Sequence, residues 1–354
     1  MFDSIENIKR FHNYDNFFLK WSGSMSSNQN VRLIDIAMRL DLTVNTVSRA
    51  LRDKSDIGFE TKMLVKRTAD EMGYIPNSIA SSLRNGSSRT IAIIFDNLMN
   101  PYFMIMADKI HKRLDPLGYA TMIFAGMDGR FEIESLAPIV SRKVDGIITF
   151  LEPSNEVLNI VEKNQIPIVL VGRKNTKLSI DSVSTDDFRG GYEIGKLFHS
   201  KNAKNVGYLG APLGVECSKR RLNGLKQSLK DYNMSIKVEN FRYVASNSVR
   251  EDLQILLDNH VDAIFCFNDM MALEAITILK DKGLHVPQDI MLAGFDDLQN
   301  DLILPVRLTT IASDKDLIID TTISMLLHRL DSSVEHHETR FIDYDIVLIN
   351  GETT

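Results

Sequence analysis

The sequence predicts an N-terminal all-α helix-turn-helix domain with a hinge helix, followed by an α/β body of two doubly wound parallel-sheet lobes. Three observations point there. Between residues 31 and 75 apolar residues recur at helical spacing. A Ser- and Asn-rich stretch then separates this unit from the rest. Beyond Arg89, continuous β-rich runs alternate with amphipathic helices, the pattern of parallel strands covered on both faces. At 354 residues, 44% hydrophobic and 25% charged, the chain has ordinary globular composition for two or three domains.

The net charge of -6 hides an asymmetry: residues 31–89 sum to +3 and residues 90–354 to -9. A small cationic unit on a large anionic body suits a module held against a polyanion. No run of about 18 apolar residues and no secretory pattern occurs, so a cytoplasmic protein without a membrane partner is expected. Cys217 and Cys266 lack metal or disulfide spacing and read as reduced core residues. There is no glycine-rich phosphate loop, histidine–carboxylate cluster or nucleophile elbow. No catalytic residue, metal or cofactor is expected.

Residues 1–24 carry apolar or aromatic side chains at 5, 8, 11, 14, 17, 18 and 21, enough for an amphipathic helix. Gly23-Ser24 before Met25 reads as a junction, so this stretch is expected to be an extension or tag-like segment, with a docking helix as the alternative.

The elements of the 31–75 unit follow in order. Leu33, Ile36, Ala37 and Leu40 mark one face of a first short helix, and Leu42 sits in a tight turn. Thr43 is a good N-cap for a second helix that buries Val47, Ala50 and Leu51, leaving Val44, Asn45, Thr46, Ser48 and Arg49 outward. A third helix from about Phe59 to Met72 is expected to supply Met63, Leu64, Thr68 and Ala69 to the same core, stopping at Gly73. Three short helices with a tight turn describe a helix-turn-helix. On DNA, Asn45 can pair with adenine, Arg49 with guanine, Val44 can touch a thymine methyl, and Thr46 and Ser48 can bond phosphates. An ordinary capped bundle is the alternative. The 76–88 hinge breaks at Pro76 and continues as a two-turn helix, Asn77–Arg84, too short to be stable alone. Against DNA, Leu83 would wedge between minor-groove base steps, whereas a plain linker is the alternative.

In the body the strand-like runs are Ile91–Phe95, Tyr119–Phe124, Asp145–Leu151, Pro167–Gly172, Asn205–Gly210, Ala263–Asn268 and Asp289–Asp297. The series restarts after a polar segment around Ser182–Gly191, so two similar lobes are expected with a ligand cleft at their carboxyl strand ends. Polar residues gather at those ends: Asp96 and Asn97, then Asn100 to Phe103, Asn268-Asp269, and Gly294 to Asp297. Arg221 follows another strand and can grip ligand hydroxyls or a carboxylate in two-pronged fashion. Each strand-end Asn or Asp could instead merely cap a helix.

The order TVNTVSRAL, MGYIPN and a short Ala/Ser/Leu helix resembles the DNA-binding end of the lactose/galactose repressor family, and NPYF, KRRLNGL, the FNDMM to GFDD stretch and LTTI resemble its body, which is periplasmic-binding-protein-like. The resemblance spans roughly Val31 to Thr354. It implies that Val44, Asn45 and Arg49 read bases, that Asn77, Ala80 and Leu83 belong to the hinge contacts, and that Arg221, Asn268 and Asp296 bond an effector, with Tyr102 and Phe103 near its entrance. It also implies lobe crossings near Thr185, Ser313 and Phe341: lobe one about 89–185 and 314–339, lobe two about 186–313 and 341–354. Two departures are Asp41 where a turn glycine is usual, which Asp tolerates in the αL region, and Ser81 where a larger polar residue is common. The expected function is a transcriptional repressor, a homodimer on a near-palindromic double-stranded operator, controlled by a small polar metabolite such as a sugar. A solute-binding protein, or a regulator answering to a protein partner, is the alternative.

Overall fold

The computed structural model describes residues 31–75, 86–96, 98–126, 130–173, 180–212, 214–244, 249–331 and 338–354. The chain forms two compact units, Met1–Ser81 and Ser82–Thr354. The extension at 1–24 and the hinge-helix residues Asn77, Ala80 and Leu83 lie outside the described residues, as does Asn97.

The first unit contains α1 (Leu33–Leu40), α2 (Val44–Leu51) and α3 (Phe59–Met72). Asp41 sits at φ 53 and ψ 43, taking the left-handed turn expected of it. Thr43 accepts the Thr46 amide at 3.0 Å and starts α2. Gly73, at φ 68, ends α3. The core is Ile36, Ala37, Val47, Ala50, Val65 and Ala69, with Leu33, Leu40 and Leu51 packed at its margin. Two expectations are corrected here. Met63 and Leu64 are exposed, and Val65 fills the core instead, because the inward stripe of α3 runs 65, 68, 69. Ser48 is buried instead of outward, and its oxygens accept from the Arg52 guanidinium at 2.9 and 3.1 Å.

The second unit opens with β1 (Thr90–Phe95), α4 (Pro101–Leu114), β2 (Ala120–Ala125), α5 (Ile133–Ser141), β3 (Gly146–Thr149), α6 (Asn155–Lys163), β4 (Ile168–Val171) and β5 (Asp181–Thr185). It continues with α7 (Asp187–Ser200), β6 (Val206–Gly210), α8 (Glu216–Asp231), β7 (Phe241–Tyr243), α9 (Val249–Asp258), β8 (Ala263–Cys266), α10 (Asp269–Asp281), β9 (Met291–Ala293) and β10 (Thr310–Ser313). Finally come α11 (Lys315–Leu330), β11 (Phe341–Tyr344) and β12 (Ile346–Ile349). The first sheet has the order β11-β5-β4-β3-β1-β2, the second β7-β6-β8-β9, and β10 pairs antiparallel with β12. All described pairs within the first two sheets are parallel.

Alternation along the buried strands splits each core in two. Ile91, Ile93 and Phe95 meet α4 and α11, whereas Ala92 and Ile94 meet α5 and α6. In lobe two, Tyr208 and Phe265 face α7 and α8, whereas Leu209, Ile264 and Cys266 face α9 and α10. The polar segment read as a break between lobes contains β5, a fully buried strand. Its polar side chains are satisfied inside: Asp181 takes both prongs of Arg329 at 2.6 and 2.9 Å, and Ser184 bonds Asp343 at 3.0 Å. A strand of such composition carries no hydrophobic signal. The third crossing is also corrected. Phe341–Tyr344 pairs with β5 in the first sheet, so the chain leaves lobe one at Asp345, between β11 and β12.

Candidate functional site

Two sites emerge, one on each unit. On the first, α2 presents its amino-terminal half. Val44 and Asn45 are exposed, and Thr46 is half-buried with its hydroxyl 2.8 Å from that of Thr43. Arg49 is engaged: Nη2 lies 2.6 Å and Nε 2.8 Å from the two oxygens of Asp56, a fork that the sequence did not reveal. Asp56 raises the Arg49 pKa, mainly through that side-chain hydrogen bond.

On the second unit, the carboxyl ends of β1, β6, β8 and β9 deliver the expected polar residues. Three close glycine contacts make the delivery possible. A Cβ on Gly191 of α7 would lie 1.9 Å from the Arg221 carbonyl oxygen, one on Gly224 of α8 1.8 Å from that of Phe188, and one on Gly195 2.7 Å from Ser228 Cβ. Helices α7 and α8 therefore touch backbone to backbone. This sets Arg221 beside Asp187, Nε to Oδ1 at 2.8 Å, while Nη1 donates to the Phe267 carbonyl at 2.5 Å. The guanidinium lies over the Phe295 ring, 3.4 Å from its centroid, and 4.7 Å from that of Phe267. Arg221 is only 7% exposed and Asp187 1%, yet Asp187 Oδ2 has no hydrogen-bond partner among the described residues. A buried acceptor of this kind asks for a ligand hydroxyl or a water.

Asp296 stands against the same cluster. Burial, opposed by Arg221 and reinforced by the neighbouring Asp269 charge, pushes its carboxyl up to about 8. Tyr102, from lobe one, feels Asp296, Arg221 and Asp187, and burial drives its hydroxyl pKa far upward. Asp269 is fully buried, raised to about 6 by burial, and accepts from Thr310 Oγ1 at 2.6 Å and the Leu298 amide at 2.8 Å. The arrangement offers a mixed set of donors and acceptors between aromatic faces, suited to a polyhydroxylated molecule.

The structure thus brings together Tyr102, Arg221 and Asp296. Asn268 caps α10, its side-chain carbonyl oxygen accepting the Met271 amide at 2.9 Å. Phe103 belongs to an aromatic cluster, stacked on Phe95 at 5.1 Å and edge-on to Phe150 at 5.8 Å, and Asp96 is half-buried at the end of β1. Sequence reasoning missed Asp187, whose signal was only an acidic residue inside a polar stretch. Cys217 is buried, as its core reading expects; that burial raises its thiol pKa, and the thiol also lies within the field of Arg221, Asp187, Arg173 and Asp296. Cys266 is in the lobe-two core as expected.

Residues 32–77 match the family model described as bacterial regulatory proteins, lacI family, and residues 196–354 match the periplasmic binding protein-like domain. The HTH-type transcriptional regulator DegA of Bacillus subtilis (strain 168) is 30% identical over 288 residues, covering 79% of this chain and 86% of that one. Among solved structures, the lac repressor dimer bound to operator and the anti-inducer ONPF superposes with a TM-score of 0.76 at 22% identity, covering 92% of this chain and 99% of that one. A LacI family transcriptional regulator from Enterococcus faecium with bound ribose gives 0.68 at 24% identity, covering 75% and 98%. Both structural likenesses speak to fold.

Proposed function

The chain belongs to the lacI family of bacterial regulatory proteins, and on that premise we propose that it is a cytoplasmic transcriptional repressor whose operator affinity is set by a small polar metabolite in the cleft between its lobes. The observation that carries this reading is the pairing, in one chain, of a capped helix exposing Val44 and Asn45 with a cleft where Tyr102, Arg221 and Asp296 meet. Val44, Asn45 and Arg49 read bases, Thr43 and Thr46 approach phosphates, and Leu83 wedges the minor groove. The effector is uncharged and rich in hydroxyls, as the ribose of the Enterococcus relative is, because Asp187 already neutralises Arg221. The active form is a homodimer. Its support is the edge strand β2, where Met122 and Ile123 are 39% and 45% exposed. A two-fold dimer fits two symmetric half-sites.

The test is selection of bound sequences from random duplex DNA by the full-length protein, repeated with Leu83→Ala and with ribose, cellobiose, xylulose and nucleosides added singly. A palindrome with a central pyrimidine–purine step, weakened by Leu83→Ala and displaced or favoured by one compound, is the expected result. Enrichment of no sequence under any condition would remove the repressor reading in favour of a solute-binding protein. Enrichment indifferent to every compound would favour control by a protein partner.

A further inference from the structure

The segment that carries Asp296 is held in an uncommon backbone conformation. Asp296 has φ 112 and Asp297 φ 48, two consecutive non-glycine residues in the left-handed half of conformational space. Such a conformation persists only where surrounding contacts over-determine it. Three elements supply those contacts. From β10, the Ile311 carbonyl accepts the Asp296 amide at 3.0 Å and Thr310 Oγ1 accepts the Asp297 amide at 3.3 Å. From α10, Asp269 accepts the Leu298 amide, and Gly294 makes room for that carboxylate, because a Cβ there would lie 2.2 Å from Asp269 Oδ1. The third contact comes from the first residue of α11. Lys315, with its side chain 3% exposed, donates from Nζ to the Asp297 carbonyl at 3.0 Å and lies 3.1 Å from Asp301 Oδ2.

We propose that Lys315 is a positioning residue for effector binding: by tying the Asp297 carbonyl and Asp301 of lobe two to the start of α11, it holds the Asp296–Asp297 backbone in the conformation that presents Asp296 to the cleft. An exposed surface lysine would explain none of this geometry. Burying an ammonium requires partners that use it fully, and here one partner is a carboxylate and the other the strained residue's own carbonyl. Lys315 also stands two residues beyond Ser313, where the chain passes from lobe two to lobe one. Asp301 extends the tie to lobe one's α4, since Lys109 Nζ is 3.5 Å from Asp301 and 2.9 Å from Asp316. The opposite end of α4 bears Tyr102. The lysine therefore joins the cleft carboxylate to the lobe crossing and to the helix that forms the facing wall. Lys315 bonds the Asp297 carbonyl and pairs with Asp301, its charge is also felt by Asp296 and Asp269, and among the described residues its bonds do not reach Arg221, Tyr102 or Asp187.

This inference rests on the cleft being the effector site, and the experiment separates the two. Full-length wild type, Lys315→Met and Lys315→Arg are compared by amide hydrogen exchange. Lys315→Met is expected to speed exchange at Asp296 to Leu298 by at least about tenfold, and Lys315→Arg, which retains charge and donors, to restore most of the protection, with β1 and β6 unchanged in both. Unaltered exchange at Asp296 to Leu298, or acceleration spread equally into β1 and β6, overturns the proposal. Ribose, cellobiose and xylulose are then titrated into the three proteins. A sugar that protects the wild-type cleft should bind Lys315→Met at least about tenfold more weakly and Lys315→Arg nearly normally. Equal binding to all three overturns the positioning role. If none of the three sugars protects the wild-type cleft, the sugar reading of the effector falls, and the positioning role of Lys315 is decided by exchange at Asp296 to Leu298.

Discussion

Gly191→Ala tests how α7 and α8 set the cleft. The added Cβ would lie 1.9 Å from the Arg221 carbonyl oxygen, 2.8 Å from its carbonyl carbon and 3.0 Å from the Leu225 amide nitrogen. A carbon and a carbonyl oxygen rest at about 3.3 Å or more, so the helices must part locally by about 1.4 Å. The obstacle is backbone on both sides, with no flexible side chain to swing away. A shift of that size along the contact stretches the 2.8 Å bond between Arg221 and Asp187 beyond hydrogen-bond range. Overpacking costs about 1–3 kcal/mol, and breaking a buried ion pair about 3–5 kcal/mol where one partner is left uncompensated. With partial relaxation, a loss of about 3 kcal/mol is expected, which for a lobe-sized domain lowers the melting temperature by about 6–12 °C. Differential scanning calorimetry of the full-length protein measures it. A transition within about 1 °C of wild type would refute the claim that backbone contact between these helices places Arg221.

Asp56→Asn removes the carboxylate that engages Arg49, so binding to duplex DNA should tighten and its salt dependence steepen by about one counterion, read by fluorescence anisotropy across a salt series. An unchanged slope would show that the pair is already broken on DNA. Asp296→Asn should flatten the pH dependence of stability: the folded protein keeps the Asp296 proton up to about 8, whereas the unfolded chain loses it at about 4. Between those values the folded state binds the extra proton, so its stability falls as pH rises, and melting curves at intervals from pH 5 to 8.5 should show a shallower decline in the variant. Arg329→Met strips the buried Asp181 of its two-pronged partner and should cost about 3 kcal/mol at neutral pH by urea unfolding. Burial pushes Asp181 up, but the bonds from Arg329 and the Arg340 amide hold it below the ordinary range. That contribution is present above about pH 4 and is lost as pH falls through the lower folded value, so wild type and variant should converge in acid.

Much of this protein is legible in its sequence because the signals are local. The αL turn at Asp41, the cap at Thr43 and the stop at Gly73 depend on the chemistry of one or two residues, and the structure places each as the sequence implies. The apolar runs at Ile91–Phe95 and Ala263–Cys266 are strands because their side chains must be buried on both faces. The inward stripe of α3 was harder to read, since Met63, Leu64 and Val65 are all apolar and only packing selects Val65. Strand β5 gave no hydrophobic signal, because its acid and hydroxyls are satisfied by residues about 150 positions later in the chain, Arg329 and Asp343. Shorter separations, 34 and 18 positions, still hid Asp187 behind Arg221 and Lys315 behind Asp297.

What the sequence by itself determined is the set of elements, their order and the chemistry gathered at the strand ends, because capping, periodicity and backbone preference act over a few residues. What only the tertiary structure decided is which buried groups meet: Arg221 with Asp187, Arg329 with Asp181, and Lys315 with Asp301 and the Asp297 carbonyl. Pairing of buried charges is fixed by desolvation, which forces each to find a partner, and by the close approach of helices and strands far apart in sequence, which determines the partner within reach.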